Sequence, residues 1–351
     1  MRIGINGLGR IGRALFRVNR ELEGFRVPVI NEAVGTPKGL AYLLNFDSTY
    51  GPLPEPVTVG AKTLLDRGRT VALRHHKHLD DVAWDEFGVD VVVDASGALD
   101  AATRARRLLK CQNGVKKVIL TNAVNITDYT LVLGANDDGF DIARHNVISS
   151  STCDATAIAP VLKLIIDAFS VHSAVLTTVH PALSYQNYLD GHPRSTMSGD
   201  FALGRSIQNN VIAKNTSAAS AVCNAVPGLP VDRILSLSYR VPTAIVSSAD
   251  ITVFLERSVS LADIESRFHA FEESQIFRIL SMNDLPLVST DFIKNNYSAI
   301  IDRRWLQVAG GNVLKIVLWY DNEWGYASRV FDQIMMIGSL LVDSKAEKEE
   351  V

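Results

Sequence analysis

The chain has 351 residues, of which 47% are hydrophobic and 21% charged, and its 35 lysines and arginines against 38 aspartates and glutamates give a formal net charge of −3. This length predicts two domains of roughly 100–200 residues, and the composition excludes a disordered chain, a collagen and a membrane bundle. The balanced charge offers no attraction for nucleic acid or an anionic membrane, so we expect neither as a partner. The N-terminal segment, MRIGINGLGRIG, lacks the apolar stretch of a signal peptide and favours a cytoplasmic protein.

Short β-branched runs alternate with helical patterns through the first half of the chain. The runs predict strands at Arg2–Asn6, Arg26–Asn31, Val89–Asp94, Lys117–Thr121, Thr130–Gly134 and Val147–Ser150. Between the first two strands, apolar residues at helical spacing predict an amphipathic helix over Arg10–Leu22. Strand–helix–strand order favours an α/β fold with a doubly wound parallel sheet.

The second half contains longer strands with partial alternation of apolar and polar residues. They are predicted at Ser173–His180, Ile234–Tyr239, Asp250–Glu256 and Val313–Tyr320, followed by a final helix over 325–342 and a charged tail over 343–351. This pattern is typical of an α+β domain with a mostly antiparallel sheet covered on one face. The change of pattern predicts a domain boundary near residue 150.

A glycine-rich loop connects the first strand to the first helix. Gly7, Gly9 and Gly12 form G-x-G-x-x-G, in which they permit a tight turn, backbone approach to a pyrophosphate and close packing of helix on strand. The helix N-terminus then offers free N–H groups to the phosphates. Glu32, at the end of the second strand, has the spacing of an acid that binds a ribose and repels a 2′-phosphate, which favours NAD over NADP. The alternatives are a glycine turn that binds nothing and a solvated strand-end acid.

Three cysteines, spread along the chain, predict neither a disulfide framework nor a zinc site. Cys153 follows Thr152, a candidate N-cap, and lies in the first turn of a predicted helix, where the helix dipole favours a thiolate. We expect Cys111 and Cys223 to lie in the core, which is also the alternative for Cys153. A thiolate nucleophile needs a basic partner, and His180 at a strand end is the best candidate, the alternative being a structural histidine.

Long segments of the chain resemble the phosphorylating glyceraldehyde-3-phosphate dehydrogenase family, including its relative erythrose-4-phosphate dehydrogenase. The similar segments run almost end to end and include RIGINGLGRIGR, GLAYLLNFDSTYG, GVDVVVDASG, KKVILTN, TTVH, YRVPTAIV and WYDNEWGYASRVFD. The resemblance implies a Rossmann-type NAD-binding domain at 1–152, completed by the helix over 325–342, a catalytic domain at 153–324, and a homotetramer. It implies NAD as cofactor, while the residues themselves predict no metal.

The resemblance also implies a mechanism for oxidising a small aldehyde, glyceraldehyde 3-phosphate first of all. Cys153 would attack the aldehyde, His180 would take the proton as hydride moves to the nicotinamide, and phosphate or water would release the resulting thioester. The cofactor-binding residues implied are Gly7, Gly9, Arg10, Ile11, Gly12, Glu32, Ser96, Gly97, Thr121, Asn322 and Tyr326.

The chain departs from the family pattern around the substrate. Asp154 stands where the family has a threonine that donates to the attacking phosphate, and Leu203 stands where a phosphate-binding arginine is expected. A longer loop contains Arg194, which could supply a replacement charge. The substrate-binding residues implied are Thr152, Asp154, Arg194, Thr216, Ser217 and Arg240.

These departures keep two alternatives open. The first is a hydrolytic erythrose-4-phosphate or other aldehyde dehydrogenase, favoured by the residues before Glu32, in which Asp154 would orient the water that releases the acyl group. The second is an NAD-binding paralogue with little activity, against which the retention of Cys153 and His180 argues. Asp154 could instead be an ordinary first-turn acid stabilised by the helix dipole.

Overall fold

A computed structural model describes residues 1–124, 126–193 and 200–349 of the chain, so Arg194 lies outside the described residues. The chain forms two compact units. The first contains Met1–Leu131, Asn136–Thr152 and the chain from Ala327, and the second contains Val132–Ala135 and Cys153–Tyr326.

The first unit is built on a nine-stranded sheet. Its strands are β1 (Arg2–Asn6), β2 (Arg26–Asn31), β3 (Thr58–Val59), β4 (Thr63–Asp66), β5 (Arg69–Arg74), β6 (Val91–Asp94), β7 (Lys117–Leu120), β8 (Tyr129–Thr130) and β9 (Val147–Ser149), and its helices include α1 (Arg10–Leu22), α2 (Pro37–Asn45) and α3 (Ala101–Cys111). The strand order is β3-β4-β5-β2-β1-β6-β7-β9-β8. All neighbours from β5 to β8 pair in parallel, which confirms the predicted doubly wound sheet.

One predicted strand of this unit is wrong. The strand predicted over Thr130–Gly134 stops at Thr130, because the chain turns immediately afterwards. The Ala135 N–H donates to the Val132 carbonyl at 3.0 Å, and Gly134 adopts a φ of +81°. An apolar run of this length does not by itself distinguish a strand from a buried turn.

The second unit contains an eight-stranded mixed sheet. Its strands are β10 (Val171–Pro181), β11 (Ile212–Lys214), β12 (Ile234–Val241), β13 (Ser247–Leu255), β14 (Leu280–Asn283), β15 (Ala299–Asp302), β16 (Gln307–Ala309) and β17 (Val313–Tyr320), and its helices include α4 (Cys153–Phe169), α5 (Ala218–Ala225) and α6 (Leu261–Ser274). The order is β11-β12-β10-β13-β17-β15-β14, with β16 paired to β17. Two pairs, β10–β12 and β14–β15, are parallel and the others antiparallel.

The apolar faces of α4 and of the central strands form the core of the second unit. Ala174 and Leu176 of β10 are buried in one cluster with Ile158 and Leu162 of α4. Side chains alternate along a strand, so His180 shares the face of β10 that carries these residues. This face of the sheet therefore directs His180 towards α4.

The final helix, α7, spans Trp324–Glu349 and so continues beyond residue 342, where the sequence predicts its end. Residues 343–349 read DSKAEKE, and the Ala, Glu and Lys residues in this run have high helix propensity, which extends the helix. Within the first unit, Phe331 of α7 lies 5.4 Å from Phe25, ring centroid to ring centroid, and Gln333 accepts a hydrogen bond from Ser150. None of the helices in the described parts of the chain has the length and hydrophobicity that a membrane crossing requires.

Candidate active site

The thiol of Cys153 lies at the first residue of α4, directly after Thr152. Its Sγ atom is 3.8 Å from Nε2 of His180 and 3.7 Å from Oδ1 of Asp154. Cys153 is half-buried, as is Cys223, whereas Cys111 is exposed. Cys223 packs against the core at partial burial, but Cys111 is exposed, so its prediction as a core residue is wrong. It is the last residue of α3, beyond the buried stripe that ends at Leu108.

The imidazole of His180 is held in one orientation. His180 is 3% exposed, and its Nδ1 lies 2.9 Å from the Pro181 carbonyl, which can only accept a hydrogen bond. Nδ1 therefore carries the proton, and Nε2 presents its lone pair to the Cys153 thiol. Burial lowers the pKa of His180 to about 4, against a smaller opposing effect of Asp154. The ring is accordingly neutral at neutral pH.

Asp154 is the anionic member of the cluster. It is buried, and the Tyr320 hydroxyl at the end of β17 donates to its Oδ1 at 2.7 Å. Burial first, and the Asp154 charge second, raise the pKa of Cys153 well above its usual value. Both effects oppose the thiolate that the position of Cys153 at a helix N-terminus favours. The resting pair is a neutral thiol and a neutral imidazole.

Arg240 supplies a cation to the same group of side chains. The parallel register of β10 and β12 pairs it with His180. Arg240 is 7% exposed, and its Nε and Nη1 atoms are buried without a hydrogen-bond partner among the described residues. A buried guanidinium with unused donors is suited to an anionic ligand.

Two further predicted substrate residues, Thr216 and Ser217, directly precede α5. The Thr216 hydroxyl accepts from the Ala218 N–H at 3.1 Å, and Ser217 is exposed at the start of α5. Leu203, which occupies the position of an expected arginine, is buried in a small apolar cluster with Ile207 and Ile212. Position 203 therefore contributes packing and no charge.

The glycine loop of the first unit leaves room for a dinucleotide. A Cβ at residue 12 would lie 2.1 Å from the Gly7 carbonyl oxygen, and Gly7 has a φ of +91°. A Cβ at Gly9, by contrast, would meet nothing within 4 Å, and Gly9 caps α1 without a side-chain hydrogen bond. Open space in front of a helix N-terminus fits a pyrophosphate. The predicted loop residue Ile11 is half-buried in the first turn of α1.

Glu32 lies against this loop. Its Oε2 accepts from the Leu8 N–H at 2.6 Å and its Oε1 from the Val34 N–H at 3.2 Å. These bonds hold the carboxylate beside the loop, where the sequence predicts the adenosine ribose. Arg10 forms an ion pair with Asp47.

The other predicted cofactor residues follow strand ends or lie in the second unit. Ser96 and Gly97 follow β6, and Thr121 follows β7, at the carboxyl edge where open α/β sheets bind ligands. In the second unit, Asn322 is buried and its Oδ1 has no partner among the described residues, which fits an amide donor of a ligand. The Tyr326 hydroxyl is buried, which raises its pKa well above 10.

The ligand atoms of Cys153, Asp154 and His180 lie within 4.8 Å of one another, close enough for all three to contact one metal ion. The sequence predicts no metal, and the buried positive charge of Arg240 opposes a cation at this point.

Comparison with known proteins identifies relatives of the whole chain. Residues 1–102 match the family model for the glyceraldehyde 3-phosphate dehydrogenase NAD binding domain, and residues 152–322 match that for the C-terminal domain. The chain is 33% identical over 339 residues to glyceraldehyde-3-phosphate dehydrogenase 2 of Bacillus subtilis (strain 168), covering 97% of both chains. It is 34% identical over 339 residues to glyceraldehyde-3-phosphate dehydrogenase of Priestia megaterium, covering 97% of this chain and 98% of the relative.

Proposed function

The chain belongs to the glyceraldehyde-3-phosphate dehydrogenase family, and on that premise we propose which of its residues carry out the reaction. It is an NAD-dependent dehydrogenase, and the family's substrate is a small phosphorylated aldehyde. The observation that supports the assignment of roles is the 3.8 Å separation of Cys153 Sγ from an unprotonated His180 Nε2.

Cys153 is the nucleophile in this proposal. Because its thiol is protonated at rest, attack on the aldehyde carbon requires His180 to accept the thiol proton as the S–C bond forms. The product is a thiohemiacetal, whose oxygen takes that proton back from His180. His180 then accepts the hydroxyl proton as the hydride leaves the same carbon, which gives a thioester on Cys153.

NAD supplies the acceptor for that hydride when it is bound. We assign its pyrophosphate to the loop around Gly9 and its adenosine ribose to Glu32. Asn322 offers its unpartnered oxygen to the carboxamide of the nicotinamide. Arg10, Ile11, Ser96, Gly97, Thr121 and Tyr326 are assigned to further cofactor contacts.

Release of the acyl group completes the reaction. When phosphate attacks the thioester carbon, the C–S bond breaks, an acyl phosphate leaves and the thiol regains its proton from His180. Arg240, with its unused donors, is assigned to binding the negative charge of the substrate or of this phosphate. By resemblance, we also assign substrate or phosphate binding to Thr152, Thr216 and Ser217.

Water is a second candidate acceptor, favoured by Asp154. Its carboxylate lies 3.7 Å from the sulfur that carries the acyl group, and an anion there can hold a water molecule for attack while repelling phosphate. The product would then be a free acid.

An assay of NADH formation tests these proposals. Phosphorylated and unphosphorylated aldehydes are supplied, each with and without inorganic phosphate. We expect a phosphorylated aldehyde to be preferred, Cys153→Ser to abolish turnover, and His180→Asn to reduce kcat about 100- to 10,000-fold. Cys111→Ser, which changes an exposed thiol, is the matched control and should retain activity.

The comparison of assays with and without inorganic phosphate distinguishes phosphate from water as the acceptor of the acyl group. A phosphorylating enzyme stops after one NADH per site when phosphate is absent, whereas a hydrolytic enzyme continues and slows when Asp154 is changed to Thr. Turnover that survives Cys153→Ser would contradict the mechanism in either form.

We further propose that the enzyme is cytoplasmic and, as the family resemblance implies, a homotetramer. Its three cysteines are free thiols, which is consistent with a reducing compartment. Analytical ultracentrifugation tests the assembly.

A further inference from the structure

Three different metal-binding side chains meet at the start of α4. The Cys153 Sγ atom is 3.7 Å from Oδ1 of Asp154 and 3.8 Å from Nε2 of His180, and the three ligand atoms lie within 4.8 Å of one another. In a tetrahedral zinc site, with bonds of about 2.3 Å to sulfur and about 2.0 Å to nitrogen or oxygen, the sulfur lies roughly 3.5 Å from each other ligand. The two measured separations are close to that value.

The nitrogen of His180 that faces the sulfur is available to a metal. Its other nitrogen, Nδ1, donates to the Pro181 carbonyl at 2.9 Å, so Nε2 carries the lone pair. A histidine that binds zinc almost always donates its second ring N–H to a carbonyl or a carboxylate, which fixes the orientation of the ring. Because burial lowers the pKa of His180 to about 4, a metal displaces no proton from Nε2 at neutral pH.

Asp154 supplies a ligand that the family pattern lacks, since the resemblance places a threonine at this position. The Asp154 carboxylate is buried, and the Tyr320 hydroxyl donates to its Oδ1 at 2.7 Å. A carboxylate has about four lone-pair positions, so this hydrogen bond leaves room for a metal. Zinc-binding carboxylates are commonly held by such a second hydrogen bond, as zinc-binding histidines are. Both Asp154 and His180 therefore have the supporting contacts of zinc ligands.

The charge of Arg240 opposes a bare cation here, but it has much less effect on a zinc complex of these ligands. Zinc deprotonates a thiol that coordinates it. The Cys153 thiolate and the Asp154 carboxylate then carry two negative charges, which balance the two positive charges of the metal. Arg240, the register partner of His180 in the neighbouring strand, faces a unit without net charge.

We propose that Cys153, Asp154 and His180 form a binding site for Zn²⁺, and that the bound metal holds the enzyme inactive. On binding, the S–H bond of Cys153 breaks, an S–Zn bond forms and the proton passes to solvent, with no change of oxidation state. Water occupies the fourth position. The metal then occupies both the sulfur that attacks the aldehyde and the nitrogen that accepts the thiol proton. The inhibition rests on the proposed function, whereas the binding of zinc does not.

Zinc binding is measured on the full-length protein after a chelator has removed metal. Zn²⁺ is titrated in competition with a chromophoric chelator. Co²⁺ is then used as a spectroscopic probe, because coordination by a thiolate gives it a charge-transfer band in the near ultraviolet. We expect one Zn²⁺ per chain, and a cobalt band that is absent from Cys153→Ser.

The contribution of Asp154 is tested by substitution. Asp154→Asn should raise the dissociation constant for Zn²⁺ on the order of 10- to 100-fold, at least the effect of losing a supporting hydrogen bond. The change also eases ionisation of the thiol. However, a carboxylate attracts a divalent ion at about 2 Å more strongly than it repels a thiolate at 3.7 Å. The matched control is Asp167→Asn, on the exposed side of α4 where Asp167 pairs with Lys163, and it should leave the dissociation constant unchanged.

Inhibition is measured as NADH formation. In the parental protein, Zn²⁺ should stop NADH formation over the concentration range in which it binds, and a chelator should restore the activity. Undiminished NADH formation by the zinc-loaded protein would overturn the inhibitory role.

Two results would overturn the binding site itself. One is a parental protein that binds no Zn²⁺ or shows no cobalt–thiolate band. The other is equal zinc affinity of the parental and Asp154→Asn proteins, with Asp154→Thr measured as well so that a folding defect in one variant does not decide the result. Zinc binding by a protein whose metal-free form oxidises no aldehyde would contradict the proposed function and leave the zinc site standing.

Discussion

Burial first, and the charge of Asp154 second, hold the Cys153 thiol in its protonated form, and Asp154→Asn should therefore speed its alkylation. The two groups are 3.7 Å apart, Sγ to Oδ1. At that distance two unit charges repel by roughly 1 kcal/mol in water and about 4 kcal/mol at the effective dielectric of a protein site. Because the Tyr320 hydroxyl withdraws part of the carboxylate charge, we take about 1–2 kcal/mol.

This energy converts into an expected rate. A relief of about 1–2 kcal/mol raises the thiolate population at neutral pH about 5- to 30-fold. A less basic thiolate is also a weaker nucleophile, so the alkylation rate should rise only about 2- to 6-fold. The assay is iodoacetamide alkylation resolved by peptide mass spectrometry, which separates Cys153 from the exposed Cys111.

The matched control is Asp167→Asn, the same change on the exposed side of α4, where Asp167 pairs with Lys163. It should leave the alkylation rate of Cys153 unaltered. An Asp154→Asn rate equal to or below the parental rate, in a protein with the parental melting temperature, would refute the electrostatic reasoning.

Further tests concern the glycine loop, His180, Tyr320 and Glu32. Gly12→Ala should lower the melting temperature, because its Cβ meets backbone at 2.1 Å, whereas Gly9→Ala should leave the melting temperature unchanged and weaken NAD binding in a fluorescence titration. A lower melting temperature for Gly9→Ala alone would contradict the assignment of close packing to Gly12 and of NAD binding to Gly9. Since burial lowers the pKa of His180 to about 4, kcat/KM should show no acid limb between about pH 5 and 7, and a limb near the ordinary histidine value would contradict a buried neutral base. Tyr320→Phe removes a hydrogen-bond donor from the buried Asp154 carboxylate and should reduce the free energy of unfolding, measured in urea, by about 1–3 kcal/mol. An unchanged urea midpoint of unfolding would contradict this expectation. Glu32→Gln should narrow the preference for NAD over NADP, measured as the ratio of kcat/KM values, and an unchanged ratio would remove its role.

Local signals were sufficient to predict the start of the first unit, but not β3, β4 and β5 or the helices α2 and α3. β1, α1 and β2 have the predicted bounds, because a glycine turn, helical periodicity and a β-branched run agree with one another there. The approach of Cys153 to His180 followed from resemblance, and the structure supports it with a distance.

The electrostatics of the site could not be predicted in the same way. Asp154 and Tyr320 are 166 residues apart, and their hydrogen bond depends on the packing of α4 beside β17. The sequence indicated an activated thiol from its helix position, but the depth of burial decides the direction of its pKa.

The most direct test of the mechanism is the trapping of the acyl-enzyme. The protein is mixed with NAD and a phosphorylated aldehyde without inorganic phosphate, quenched in acid at short times, and analysed by peptide mass spectrometry alongside the yield of NADH. The account predicts that the first NADH at each site forms together with an acyl group on the peptide that carries Cys153. NADH formation with no acyl group on that peptide at any time point, or with one on another residue, would contradict it.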